Sequence, residues 1–553
     1  MPARNYSDLS QEELIRLLEA RDRRDATRFG LVWEANEVER DRALNRDFVA
    51  LDLDPALSAG GVNGADGGAA WRNLIIEGDN FDALRYLRMT FAGRVKCIYI
   101  DPPYNTGNRD FVYNDRFVEK DDLWRHSKWV EFMHQRLTLA RDLLRADGVI
   151  FVSIGDDEVF ALGLLMNQVF GEGNFIANVI WQKVFAPKNT ARHFSDDHDY
   201  ILVYAQHADS WKPNLLPRTE KQEKAYRNPD NDPRGPWKPS DVAARNFYSK
   251  GTYPITCPSG RVIPGPRPGT YWRVSQEKFL ELDADNRVWW GKTGDSQPMI
   301  KRFHTDVMAG RVPQTWWPYE EVGHTKEAKE EMLAALGLAE GETIFSTPKP
   351  VRLLERIVRL STGPDDLIVD FFAGSGTTGH AVLKMNAEDG GNRRFILVSN
   401  SEATAEEPNK NLCRDACAER VRKVIAGYSR EGEQIAGLGG DFAYLTCRRI
   451  PAGRLTEIDH AQVWTALQLI HCETLSPYQD SPCSCAGNED QALLYVPSFR
   501  REHLPAICKA VRGSRAVILY SWQPELLRQR VRAEHVQFEN IPDSLARRFG
   551  LKG

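Results

Sequence analysis

Short apolar runs that stop at breakers recur along the chain, and between them lie stretches whose apolar positions return every three or four residues. Leu74-Ile75-Ile76, Cys97-Ile98-Tyr99-Ile100, Val149 to Ile154 and Phe175 to Gln182 read as strands buried on both faces. Stretches 81–90, 122–146 and 158–170 carry helical spacing between them. After a long interruption the alternation resumes, with a helix over 350–361, a strand over 367–372, a helix over 377–387 and a strand over 394–398. Strand–helix alternation predicts an α/β fold with a parallel, doubly wound sheet, in which ligands collect at the carboxyl ends of the strands.

The regions outside this pattern suggest the domain boundaries. Residues 1–70 begin as a charged, helix-prone arm (Leu14, Leu17 and Leu18 at helical spacing) and end in a Gly/Ala-rich linker over 55–70. Residues 71–183 form the first α/β half and 346–430 the second. Between them, 184–345 is rich in proline, glycine and aromatic rings and loses helical periodicity, as an inserted module would. Residues 431–553 read as a mixed α and β extension suited to interaction or dimerisation.

Composition narrows the possibilities only modestly. A formal charge of -5 over 553 residues excludes a globally basic nucleic-acid binder, so any such surface is local. No run is apolar enough to span a bilayer and no leader pattern is found, so a cytoplasmic protein is expected. The nine cysteines are scattered and expected to be reduced. Cys472, Cys483 and Cys485 match no standard zinc spacing, and no metal is expected.

Two motifs carry the candidate chemistry. The strand ending at Ile100 runs into Asp101-Pro102-Pro103-Tyr104, where the prolines stop the ladder and stiffen the turn. A carboxylate and an aromatic ring are thereby held at a sheet mouth, a grip suited to a flat, amino-bearing ring. The strand ending at Asp370-Phe371-Phe372 runs into Gly374, Gly376 and Gly379, followed by a helix; such glycines let a ligand approach backbone closely. Within the insert and its edge, basic and aromatic residues interleave: Lys183, Lys188, Arg192, Tyr271, Trp272, Arg273, Lys292 and Lys301, a set suited to phosphates and stacked bases. One reading is a nicotinamide oxidoreductase. Against it, the glycine loop sits late in the chain and no Tyr-x-x-x-Lys pair is present. The other reading joins the two motifs as halves of one site.

EGDNFDALRYL (77–87), IYIDPPYNTG (98–107), FVYND (111–115), DGVIFVSIGDDE (147–158), STPKP (346–350), DFFAGSGTTGHAVL (370–383) and GLGGDFAYL (437–445) occur in that order. Together they resemble the permuted, β-class DNA amino-methyltransferases of the DPPY type, and most narrowly the Mod subunits of type III restriction–modification systems. The resemblance covers roughly residues 70–445. It implies a Rossmann-like methyltransferase sheet with circularly permuted motif order, an inserted target-recognition domain over 184–345 and a C-terminal α+β extension. S-adenosylmethionine would be the methyl donor, and the N6 amino group of a flipped-out adenine the acceptor.

The resemblance also implies roles. Asp101, Pro102, Pro103 and Tyr104 would hold the base. Asp370, Phe371, Phe372, Gly374, Gly376, Thr377 and Thr378 would wrap the donor, Asp79 would lie near its adenine, and Pro348 with Lys349 would close over it. Relatives carry a glutamate where this chain has Ser399, leaving Glu402 or Asn400 as substitutes. Expected partners are double-stranded DNA, a second copy in a homodimer, and a restriction (helicase/nuclease) subunit, with no membrane. An N4-cytosine enzyme, a non-catalytic recognition subunit, and an RNA or protein-amide methyltransferase are the alternatives.

Overall fold

The strand carrying Asp101 at its exit lies fifth from one side and sixth from the other in a ten-stranded mixed sheet. In chain order the strands are β1 (Asp47–Ala59), β2 (Leu74–Glu77), β3 (Val95–Ile100), β4 (Leu144–Ile154), β5 (Phe175–Gln182), β6 (His198–Ala205), β7 (Trp316–Trp317), β8 (Leu367–Asp370), β9 (Arg394–Ser399) and β10 (Phe442–Pro451). Their order across the sheet is β1-β10-β2-β9-β8-β3-β4-β6-β5-β7. The computed structural model describes residues 47–545 apart from 64–68, 108–111, 114–115, 118–123, 188, 307–309, 340, 343, 404–406, 431, 452–457, 488–489, 513–515 and 542–544.

From β10 to β4 every neighbouring pair is parallel. Ile98, Ile100, Ile150, Val152, Val369, Ile396 and Val398 are buried in one core with Leu84 and Leu87 of α1 (Asn80–Phe91) and with Trp129, Met133 and Leu137 of α2 (Arg125–Leu143). A fully buried aliphatic side chain of this kind contributes about 1.5–3 kcal/mol. Double-sided burial is thus what fixes the ends of β3 and β8.

Two of the remaining strands depart from the predicted parallel sheet. β6 runs antiparallel to both β4 and β5 and lies between them. No crossover helix separates β5 from β6, so the chain turns back on itself, which only antiparallel pairing allows. β1 pairs antiparallel with β10 and closes one edge of the sheet, so the predicted 55–70 linker begins inside a strand. The helical arm expected before residue 47 lies outside the described residues.

The chain divides into two units, residues 1–212 with 314–553, and residues 213–313. The second unit is narrower than the 184–345 stretch marked by composition. β6 and β7 belong to the large sheet, and the helix Thr325–Leu336, capped by His324 at one end and Gly337 at the other, belongs to the first unit. The second unit holds a small antiparallel sheet and its own core of Val242, Ile255, Cys257, Ile263, Trp272, Phe279, Val288 and Trp290.

The C-terminal segment also differs from expectation. β10 is a strand of the large sheet, so the extension starts later than 431. Beyond it, Gln491–Val496, Ala516–Ser521 and Val536–Asn540 pair in parallel with helices between them, an α/β rather than an α+β arrangement. Among the described residues no helix is long and apolar enough to cross a membrane.

Candidate active site

β3 and β8 lie side by side and parallel, with Ile368 opposite Cys97 and Val369 opposite Ile98. Their carboxyl ends therefore open together, although Asp101 and Asp370 are far apart in sequence. At this mouth the Asp101 carboxylate keeps 18% of its side-chain surface accessible and receives the Lys349 ammonium on Oδ2 at 2.5 Å. Its other oxygen, Oδ1, is buried and accepts no hydrogen bond. Burial pushes the Asp101 carboxyl above the usual carboxylate range, while Lys349 pulls against that rise.

Tyr104 is fixed from several sides. Its hydroxyl donates to Asp199 Oδ2 at 3.2 Å, and Lys183 Nζ donates to Asp199 Oδ1 at 2.8 Å. The ring lies 5.2 Å from Lys349 Nζ, and Gly155 gives it room, since a Cβ there would meet the ring at 2.9 Å. Trp129 Nε1 donates to the Pro103 carbonyl at 2.7 Å, tying the turn to α2, while Pro102 is buried. Beyond the turn, Asn105 adopts a left-handed φ of 57° and its amide donates to the buried Glu158.

The glycine loop follows β8. Asp370 is buried; its Oδ2 accepts from the Thr378 hydroxyl at 2.5 Å and its Oδ1 from the Phe372 N–H at 3.0 Å. Burial pushes this carboxyl up to about 7, against those two hydrogen bonds and with Asp101 adding to the rise. Gly374 and Gly376 take φ of 49° and 78°, where a Cβ would meet the Phe345 ring at 2.8 Å and the Cys417 carbonyl oxygen at 3.0 Å. Behind the loop the fully buried Arg420 donates from Nη1 to Ser375 Oγ at 3.1 Å and to Thr377 Oγ1 at 2.7 Å. The Phe371 carbonyl accepts from Asn80 Nδ2 at 2.9 Å, the Phe372 ring packs 6.0 Å from Phe132, and Pro348 is buried beside Lys349.

Two further residues marked in the sequence are engaged by groups of the protein itself. Asp79 caps α1, accepting from the Phe81 and Asp82 N–H groups, and pairs with Arg136 at 3.2 Å. Glu402 is exposed and pairs with Lys410 at 3.1 Å. The acid in register with Ser399 is Glu77, held by Asn411 and the Tyr444 hydroxyl. Its position as the first residue of EGDN at a strand end could have flagged it.

Three of the DNA-contact candidates are engaged elsewhere. Lys301 is fully buried between Asp230 and Asp232, at 2.5 and 3.1 Å, because a buried ammonium must be paired. Trp272 sits in the core of the second unit with its N–H donated to the Tyr253 carbonyl. Lys183 spends its charge on Asp199 and Asp196. Arg192, Arg273 and Lys292 are exposed, Tyr271 is half-buried, and Lys188 lies outside the described residues. Sequence reasoning missed Asp199 and Arg420. Each left a signal: a carboxylate inside the apolar strand HDYILVYA, and an arginine on the apolar face shared by Ala416, Cys417, Val421 and Val424.

A family model described as DNA methylase (N6_N4_Mtase) matches residues 95–408. The StyLTI Mod subunit of a type III restriction–modification enzyme from Salmonella typhimurium is 37% identical over 384 residues, covering 64% of this chain and 57% of that protein. The EcoPI Mod subunit of Escherichia phage P1 is 32% identical over 396 residues, covering 61% and 59%. The type II methyltransferase M.EcaI of Enterobacter cloacae is 32% identical over 344 residues, covering 62% and 69%. The chain thus spans under two thirds of the length of these two Mod subunits.

Proposed function

The chain belongs to the N6_N4 DNA methylase family, and from that membership we propose that it transfers a methyl group from S-adenosylmethionine to the N6 amino group of a flipped-out adenine in DNA. The observation that carries this reading is the pairing of β3 with β8, which opens the Asp101 turn and the glycine loop at one sheet end. The loop fits the donor: two glycines in left-handed conformations leave backbone exposed to a ligand, at the start of the helix Thr377–Asp389. Asp370, Phe371, Phe372, Gly374, Gly376, Thr377 and Thr378 would hold it. When bound, S-adenosylmethionine supplies an electrophilic methyl on a sulfonium, open to in-line attack.

The remaining work falls to this chain's own groups. An adenine amino nitrogen is a poor nucleophile because its lone pair is delocalised into the ring. Asp101 Oδ1, buried and unpartnered, accepts one amino N–H, and the Pro102 carbonyl accepts the other. Both favour a pyramidal nitrogen, and the carboxylate offsets the positive charge that develops there until the nitrogen gives up one of its protons to solvent. Tyr104 stacks on the base, a contact worth about 1–3 kcal/mol. The base must leave the duplex first, since its reacting atom is otherwise shielded.

Tyr104→Phe should test how much the Asp199 anchor matters. The ring stays and one hydrogen bond goes, so turnover should fall roughly three- to tenfold, in line with a bond worth about 1 kcal/mol. Asp199→Asn should act in the same direction, and the double variant should be no worse than either alone.

Arg192 on the first unit, and Tyr271, Arg273 and Lys292 on the second, are surface groups suited to DNA, the second unit reads the target sequence, and a second copy and a restriction subunit complete the system. The reading is tested by titrating the protein with S-adenosylmethionine and NAD, and by mapping modified bases in host DNA with and without the gene. Donor binding with N6-methyladenine at one short sequence is expected. N4-methylcytosine would overturn the choice of base, and donor binding without any modified base would favour a recognition subunit.

A further inference from the structure

The STPKP segment, which the resemblance assigns to closing over the donor, brings its lysine onto Asp101. Lys349 Nζ lies 2.5 Å from Asp101 Oδ2, and 5.2 and 5.9 Å from the rings of Tyr104 and the fully buried Trp181. Only 9% of the lysine side chain is accessible. Pro348 and Pro350 flank it, and Pro350 caps the helix Val351–Ser361, so its backbone is stiff on both sides. The contact crosses 248 positions of sequence, from the half that carries the glycine loop to the half that carries Asp101.

We propose that Lys349 is the positioning residue of the transfer: its ammonium occupies Asp101 Oδ2 and thereby presents Oδ1, in a carboxylate that remains charged, to the acceptor amino group. This inference rests on the methyl-transfer reading above. The reason for such a device is electrostatic. A buried carboxylate without a cation takes up a proton rather than stay charged. A protonated Asp101 would offer the amino group a donor where an acceptor is needed.

The charged and titratable groups around Asp101 come from every neighbouring element. Lys349 lies on the segment before the helix Val351–Ser361, Asp199 on β6, Lys183 just past the end of β5, Asp370 at the end of β8, and Tyr99 and Tyr104 on either side of Asp101 itself. Lys183 is committed to Asp199, which leaves Lys349 as the cation for Asp101. Burial and Asp199 push the Asp101 carboxyl up, and Lys349, with a smaller contribution from Tyr104, holds it down. The working form is the carboxylate, so activity is present above this titration and lost as pH falls through it. Removing the lysine charge raises the titration, and the acid limb of kcat moves to higher pH.

The test uses the full chain with unmethylated host DNA as acceptor, measuring kcat against pH and, separately, the donor Kd by calorimetry without DNA. Lys349→Met should lower kcat at neutral pH by about 100-fold, and its acid limb should move up by about one unit or more. Its donor Kd should stay within about threefold of the original, and Lys349→Arg should restore the limb and at least about tenfold in kcat. Calorimetry also reports folding; if Lys349→Met does not fold, Lys349→Gln carries the same criteria. A donor Kd raised about tenfold with an unmoved acid limb would give Lys349 the donor-closing role and overturn the inference, as would an unchanged kcat. An unaltered protein that binds no donor and methylates nothing would overturn the methyl-transfer reading, an outcome distinct from any pattern among the variants.

Discussion

Asp101→Ala is expected to lower methyl transfer by roughly 1,000-fold or more while the donor Kd changes little, as follows when a group stabilises charge only in the transition state. Asp101 Oδ1 is a buried acceptor at the sheet mouth without a partner of its own, so alanine leaves the amino group no carboxylate to lean on. The substitution also strands the Lys349 ammonium, whose own surface is almost entirely enclosed. Breaking a buried pair in this way costs about 3–5 kcal/mol of stability. The unfolding midpoint should therefore be measured beside the rate, and donor binding by calorimetry shows that the remaining protein is intact. Turnover retained within about tenfold would remove Asp101 from the chemistry.

Gly376→Val should do the reverse, weakening the donor before it touches the transfer itself. Gly376 sits at φ 78°, and its added Cβ would lie 3.0 Å from the Cys417 carbonyl oxygen, a backbone atom with little freedom to yield. Left-handed backbone alone costs a residue with a Cβ about 1–2 kcal/mol, so with the contact added the donor Kd should rise about thirtyfold. Gly390→Val is the control: it carries φ 71° at the other end of the same helix and meets nothing within 4 Å. It should lower stability while leaving donor affinity unchanged. Equal loss of affinity in both variants would mean that strain, and not the loop, is being measured.

Much of the molecule was legible in the linear pattern. Strands β2, β3, β4, β8 and β9 appear as apolar runs because they are buried on both faces, whereas β5 buries only Val179 and Trp181, and helices appear between them because one side of each meets that sheet. Other elements left weaker marks. β6 carries Asp199 inside an apolar run and falls in a stretch whose prolines and rings read as an insert. β1 extends into Gly- and Ala-rich sequence because it pairs at an edge, where a ladder partner supplies what side-chain burial does not.

By itself the sequence determined which residues could do chemistry. A carboxylate before two prolines and a glycine run after a second apolar strand are local signals, set by backbone constraints that a few residues carry. Which of them meet is not local. The tertiary fold placed β8 against β3, brought Lys349 onto Asp101 and Lys183 onto Asp199, and buried Lys301 and Trp272. A lysine looks the same in sequence whether it faces phosphate, donor or carboxylate. Its partner is chosen by which charge the folded chain has removed from water beside it, and that is known only once the sheet is assembled.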